Sequence, residues 1–265
     1  SIAHHEARWI SKDQRKKAIE LGLQPLSPVE VLAIHLQDTV RMHADILLSR
    51  DATHQLVEQL RELAPTAVGE LIPELLSLGQ LQQVLRNLLS EKISIRPLAE
   101  ILEALSEVAR QQQHPIKLTE YVRSRLARSI TTSLSDIDGL RVLSLRPEIE
   151  QQLGDTLNFT DIDLEVTYVH QLHDRLCQEI QRHLELVKEE QGTTALVVAP
   201  EIRPGVARLM QQKLIPIPVI SPREISRGAD IVSHHQLNMA STPLTHHSGA
   251  PAVSSLEPVT REDVN

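Results

Sequence analysis

Leu81, Val84, Leu85, Leu88 and Leu89 recur at i, i+3, i+4, i+7 and i+8, the repeat of an amphipathic helix with one apolar face. The run Lys92-Ile93-Ser94-Ile95-Arg96-Pro97 then leaves helical spacing. Pro97 biases Arg96 away from the α region and suits the first turn of a following helix. Leu98, Ile101, Leu102 and Leu105 rebuild the apolar stripe beyond it. The segment Pro65–Leu105 therefore reads as two amphipathic helices joined by an extended step. It carries no metal cage, phosphate loop or nucleophile, which suits assembly and docking better than catalysis.

The flanking pattern is also helical. Ser11 caps a short helix to Leu21 that Gly22 stops, and Trp9 is expected to anchor a packing contact before it. Ser27, Pro28 and Glu30 form a capping-box start for a helix that runs through Leu32, Leu36, Val40 and His43 towards Leu48. Arg50-Asp51 is read as an interruption, followed by a helix from Thr53 to Leu63 with Leu56, Leu60 and Leu63 inward. After Leu105 the helix continues to about Gln111. Gln111 to Pro115 is a loop, and Leu118–Thr131 is a helix carrying Arg123, Arg125 and Arg128.

The grammar changes at Asp138-Gly139, a turn. Leu140–Leu145 alternates with period two, a strand. Pro147–Leu153 is a short helix, and Tyr168–Lys188 a long one that buries Leu172, Leu176, Ile180, Leu184 and Val187. Ala195–Ala199 is almost wholly apolar, as a strand covered on both faces would be. A helix from Pro200 to about Leu214 and a strand Ile217–Ile220 complete a strand–helix–strand unit with a right-handed crossover. From His234 onward Ser, Thr, His, Pro and Ala dominate without periodicity, as in a disordered tail. The fold class is α+β, with a mostly helical middle and a small α/β C-terminal unit.

Composition narrows the function classes. Aromatics make up 2% of 265 residues, so Leu, Ile and Val must fill the core. A formal charge of −8 opposes binding that works by neutralising nucleic-acid phosphates. No apolar run approaches the roughly 20 residues of a membrane helix, and no signal peptide opens the chain. The single cysteine, Cys177, excludes an internal disulfide and fits a reducing compartment. An initial Ser in place of Met points to a piece of a longer protein or to processing.

Candidate chemistry is sparse. His170, His173 and Cys177 lie at i, i+3 and i+7 on one helix, where they either share a metal-binding face or are ordinary helix residues. The pairs His4-His5, His234-His235 and His246-His247 offer adventitious metal affinity. Neither GxxxxGK[ST] nor GxGxxG occurs among nine glycines. Cys177 beside Leu176 suits a packed thiol better than a nucleophile. Asp161, Asp163 and Glu165 lack the Gly and distal Glu of a calcium loop and read as an acidic extended edge. Arg123, Arg125 and Arg128 form either an interaction surface or a solvated face placed favourably for the helix dipole. Asp45, beside Leu47 and Leu48, is a candidate for orienting a partner.

Over roughly residues 8–226 the chain resembles the FlhA/InvA/LcrD family, the export gates of flagellar and injectisome type III secretion. The resemblance rests on Pro28-Val29-Glu30-Val31-Leu32-Ala33-Ile34-His35-Leu36, Leu71-Ile72-Pro73, Leu78-Gly79, Val84–Leu89, Ile95-Arg96, Ile101–Leu105, Leu118–Arg123, Pro147–Glu150, Pro200–Pro204 and Val219–Ile225, in the family's order. The family's IRDLRTILE block reads here as IRPLAEILE, with Pro97 in place of Asp.

The resemblance implies part of the cytoplasmic domain of a membrane protein, at the cytoplasmic face of the bacterial inner membrane. It implies no enzymatic activity, no cofactor and no metal. Implied partners are export chaperone–substrate complexes, the export ATPase complex and further copies in a nonameric ring. Implied subdomains are 1–23 with 73–92, then 24–72, 93–170 and 171–233, followed by a tail over 234–265. A docking dimple corresponds to Asp45, Leu48, Leu76 and Gly79, with Leu48 replacing an aromatic residue and Gly79 a threonine; the flagellar branch is favoured. The rival readings are a metal enzyme using His170, His173 and Cys177, and a helical adaptor outside any secretion machine.

Overall fold

The computed structural model describes residues 8–161, 163–188, 192–237 and 239 of the chain. Its N-terminal part is a succession of helices set by their caps. A 3-10 turn at Lys12–Gln14 leads into α1 (Arg15–Glu20), and α2 spans Pro28–Met42. The expected capping box starts α2: Ser27 Oγ accepts from Glu30 N at 3.3 Å, and Glu30 Oε2 accepts from Ser27 N at 2.6 Å. α2 ends at Met42 rather than running to Leu48, and a separate turn, α3 (Ala44–Leu47), follows.

α4 (Arg50–Leu63) starts earlier than expected, because Ser49 Oγ accepts from Ala52 N at 3.1 Å and turns the expected interruption into an N-cap. α5 is Pro65–Leu71, and the Ile72–Pro73 peptide is cis. α6 (Leu78–Ser90) and α7 (Leu98–Val108) are the two helices of the opening pattern. The step between them begins as a Schellman stop. Lys92, at φ 61°, donates to Leu89 O at 2.9 Å, and Ile93 N donates to Leu88 O at 2.9 Å. α8 (Pro115–Arg125) and α9 (Ala127–Leu134) replace the single basic helix, with a break at Leu126.

The C-terminal part alternates. β1 (Leu140–Ser144), α10 (Pro147–Gly154), the hairpin strands β2 (Leu157–Phe159) and β3 (Leu164–Val166), α11 (His170–Leu186), β4 (Thr194–Val197), α12 (Arg203–Gln212), β5 (Val219–Ile220) and β6 (Ile231–Gln236) follow in order. A 3-10 turn, Pro222–Glu224, lies between β5 and β6. The main sheet is parallel with strand order β5-β4-β1-β6, so β4, α12 and β5 form the expected strand–helix–strand unit. Gly205 lets α12 approach the hairpin closely: a Cβ there would lie 2.4 Å from Leu157 Cδ2.

Strand periodicity of two divides the interior into two cores. Leu140, Val142, Ala195 and Ile220 point to one side and join Leu81, Leu85, Leu88, Ile101, Leu105 and Val122 of the helical body. Leu143, Leu196, Val198 and Val219 point to the other side, with Leu172, Leu176 and Ile180 of α11 and Val206 and Met210 of α12. The sheet is thus the wall shared by both cores.

Several side chains depart from the sequence reading. Leu63 is 83% exposed; the inward face of α4 is instead Thr53 and Val57, with Leu56 and Leu60 packed at its margin. Trp9 is exposed, as are Leu32, Leu36 and Val40 of α2, so none of these apolar groups has a covering element among the described residues. His234–Gln236, placed by composition in the tail, are strand residues paired with β1, and Leu237 and Met239 enter the second core. A polar edge strand held by backbone hydrogen bonds needs no apolar alternation, which is why composition alone misplaces it. The rest of the tail and the pairs His4-His5 and His246-His247 lie outside the described residues.

The difference between Leu85 and Leu63 is measurable. Leu85→Ala is expected to cost about 2–5 kcal/mol of unfolding free energy, and Leu63→Ala at most about 0.5 kcal/mol, in urea titrations followed by circular dichroism.

Candidate functional site

α3, α4 and the first turn of α6 meet in one region: α6 packs against both α3 and α4. Ser77 caps α6, its Oγ accepting from Gln80 N at 3.2 Å while Gln80 Oε1 accepts from Ser77 N at 2.9 Å. Gln80 Nε2 then donates to Gln113 Oε1 at 2.8 Å, and Gln113 Nε2 donates to Leu75 O at 3.2 Å. Gln82 Nε2 donates to Leu48 O at 2.9 Å, tying α6 to the α3–α4 connection. Side-chain amides thus hold the region at both ends.

The four candidate docking residues do not play one role. Asp45 and Gly79 are half-exposed. Leu48 and Leu76, at 8% and 1% exposure, belong to the first core and form a floor rather than a contact surface. Gly79 lies under the Arg50 guanidinium, where an added Cβ would come within 2.7 Å of Nη2. A side chain at position 79 would therefore displace Arg50 from the N-terminal turn of α6. Sequence reasoning missed Ile46 and named Leu47 only as a neighbour of Asp45; the two follow Asp45 in the chain and are 66% and 60% exposed. The region offers the Asp45 carboxylate next in the chain to two exposed apolar side chains, and the Arg50 guanidinium over Gly79.

The rival metal constellation is not brought together. His170 is exposed, while His173 and Cys177 are buried. His173 Nδ1 accepts from Val169 N at 2.9 Å, and its Nε2 lies 3.4 Å from Thr156 Oγ1, which donates to Leu153 O at 2.7 Å. With Nδ1 accepting, Nε2 carries the proton and the ring is neutral. Burial lowers its pKa accordingly, and burial raises that of the Cys177 thiol. No group of three metal-capable side chains converges among the described residues. Asp163 of the acidic edge is paired with Arg208 at 2.7 Å, and that hydrogen bond holds its carboxyl below the usual range.

The basic helix is also redistributed. Arg125 pairs with Glu107 at 3.2 Å on the surface, and Arg128 is exposed on α9. Arg123 instead points inward and is buried among charges. At about 100° per residue Arg123 lies about 160° around α8 from the exposed Arg125, and its acidic partners on other elements are invisible in the local pattern.

Leu48→Asp sets a carboxylate into the first core and is expected to cost on the order of 3 kcal/mol or more. Asp45→Ala should change stability by no more than about 0.5 kcal/mol. Thermal and urea unfolding of the two variants measures the contrast.

A family model described as the FHIPEP family matches residues 1–230. The flagellar biosynthesis protein FlhA of Bacillus subtilis is 29% identical over 228 residues, covering 86% of this chain and 34% of that protein. The chain therefore spans about a third of the length of that relative. Among solved structures, one of the Chlamydia pneumoniae CdsV and CdsO protein complex aligns with a TM-score of 0.80 at 25% identity, covering 87% of this chain and 68% of the solved one. The nonameric EscV cytosolic domain from the type III secretion system aligns at 0.66 and 20% identity, covering 86% and 68%. No helix among the described residues is long and apolar enough to cross a membrane. The chain belongs to the FHIPEP family, the FlhA/InvA/LcrD export-gate proteins of type III secretion.

Proposed function

We propose that this chain is a docking platform of the export gate and receives chaperone–substrate complexes at the surface made by α3, Arg50 and the first turn of α6. The observation that carries the reading is the half-exposed Asp45 followed directly by exposed Ile46 and Leu47 on a turn fixed to α6. Exposed apolar side chains supply contact area, and a carboxylate among them gives a cationic or hydrogen-bond-donating partner a preferred orientation. Leu48 and Leu76 serve this surface from beneath, by holding α3 against α6. The work done here is binding; the reading assigns no reaction, cofactor or metal to these residues.

Flagellar assembly is the favoured setting, supported by the flagellar biosynthesis relative. The injectisome is the second reading, supported by the likeness to the EscV domain. In either setting the chain lies on the cytoplasmic face of the inner membrane. It works as one subunit of a ring and meets the export ATPase complex as well as cargo. The proposed subdivision is 1–23 with 73–92, 24–72, 93–170 and 171–233.

The test uses calorimetry with a purified flagellar export chaperone bound to its cargo. Asp45→Ala and Leu47→Ser, each with an unchanged unfolding transition, are expected to weaken binding by about tenfold or more, close to 1.4 kcal/mol. Unchanged affinity in both variants removes the docking assignment.

A further inference from the structure

Five charged side chains from four elements meet at the seam between the helical body and the α/β unit. Glu91 follows α6, Glu120 and Arg123 lie on α8, Arg203 opens α12, and Glu224 closes the 3-10 turn after β5. Arg203 Nη1 and Nη2 donate to Glu91 at 2.6 and 3.0 Å, and its Nε donates to Glu120 Oε2 at 2.5 Å. Nη2 donates to Glu120 as well. Arg123 Nη1 donates to Glu91 Oε2 at 2.9 Å, and its Nη2 donates to Glu224 and to Val219 O, the latter at 3.2 Å. Glu224 is held further by Ser221 N and Oγ, at 3.0 and 2.9 Å.

The cluster is not balanced. Three carboxylates face two guanidiniums, and Arg123, Arg203 and Glu224 are almost wholly buried. Glu91 receives both guanidiniums, whereas Glu120 receives hydrogen bonds from Arg203 alone and faces Glu91. Glu120 also borders a cavity of about 70 Å³ with Glu91, Thr119, Arg203, Arg208 and Gln211. Arg208 there is committed to Asp163 at 2.7 Å, and Glu107 of α7 is engaged by Tyr121 and Arg125 at 2.6 and 3.2 Å. Among the described residues, the ion pairs of the three carboxylates are with Arg123 and Arg203.

We propose that this cluster is a proton-sensitive latch, in which Glu120 takes up one proton to hold the start of α12 and the turn after β5 closed against α6 and α8. Loss of that proton leaves three carboxylates against two guanidiniums and loosens the seam. The two glutamates on Arg203 move oppositely for a physical reason. Burial pushes the Glu120 carboxyl up, and Arg203 does not fully offset it. Burial acts on Glu91 too, but Arg123 and Arg203 together outweigh it and hold its carboxyl low.

The sign follows from linkage. Closing binds a proton at Glu120, so its contribution is full below the ordinary glutamate range and is lost as pH rises through the raised value. The contribution of Glu91 has the opposite sign: present above the ordinary range, it is lost as pH falls through its lowered value.

Two reporter amides sit on the seam: Ser221 N, bound to Glu224 Oε1 at 3.0 Å, and Ser226 N, bound to Thr131 Oγ1 at 2.9 Å. Hydrogen exchange at these amides in the 265-residue chain, corrected for intrinsic rates, measures the opening constant. It is expected to rise with pH above the ordinary glutamate range by up to about tenfold per unit, and to lose that slope in Glu120→Gln, which keeps the shape of the side chain. The same slope in the variant and the native chain overturns the proposal. A second variant tests the surplus charge directly. Glu91→Gln is expected to lower the Glu120 midpoint, followed by carboxyl carbon resonances and assigned through the signal missing in Glu120→Gln. A midpoint that stays in place, or that lies at or below the ordinary glutamate range in the native chain, also overturns it.

Discussion

A guanidinium at 1% exposure keeps its charge, so it needs carboxylates around it to offset the cost of burial, and Arg203 shows how strongly that requirement shapes this fold. Burial alone would lower its pKa, yet Glu91 and Glu120 raise it well above the ordinary value. Those two glutamates come from the end of α6 and from α8, while Arg203 comes from α12. The pairing therefore fixes where the C-terminal unit meets the helical body. Hydrophobic burial favours any dry contact between the two; the ion cluster selects this one, because displacement strands a buried charge without its partner. Val219 O accepts from both guanidiniums, at 3.2 and 3.3 Å, so the edge strand β5 is registered by the same groups.

The shared sheet makes that registration felt on both sides. β1 and β4 send alternate residues into opposite cores, and a slip of one residue would exchange every side chain between them. A helical body and a C-terminal unit joined through a common wall cannot shift freely as two separate bodies. The charge cluster at Arg203 borders this wall through Val219 O, and a cavity of about 70 Å³ lies next to Glu120.

Periodicity made much of this architecture legible. Leu81, Val84, Leu85 and Leu88 are fully buried where the 3.6-residue repeat put them, and Ser27, Pro28 and Glu30 cap α2 as their spacing requires. The parallel unit β4-α12-β5 followed from two short apolar runs around a helix. Local pattern failed where a distant partner decides the outcome. Arg123 looks like a member of a solvated basic stripe until Glu91 and Glu224 are placed beside it. β6 looks like tail because its pairing with β1 uses backbone atoms, which composition does not record. Leu48 and Leu76 look like surface positions because the sequence cannot tell a floor beneath a surface from its exposed rim.

That distinction between floor and rim governs how α3 can act. An exposed apolar residue adds contact area to whatever touches it, and α2 exposes several of them, including Leu32, Leu36 and Val40. Exposure by itself therefore does not single out a docking site on this molecule. What separates α3 is that its apolar pair directly follows a carboxylate and that its end is clamped to α6 through Gln82 and Leu48 O. A clamped turn loses little conformational freedom on binding, so more of the contact energy appears as affinity. The carboxylate adds a penalty for any partner that buries it without a donor. In the proposed docking, apolar area would attract, Asp45 would discriminate, and the buried leucines below would keep both in place.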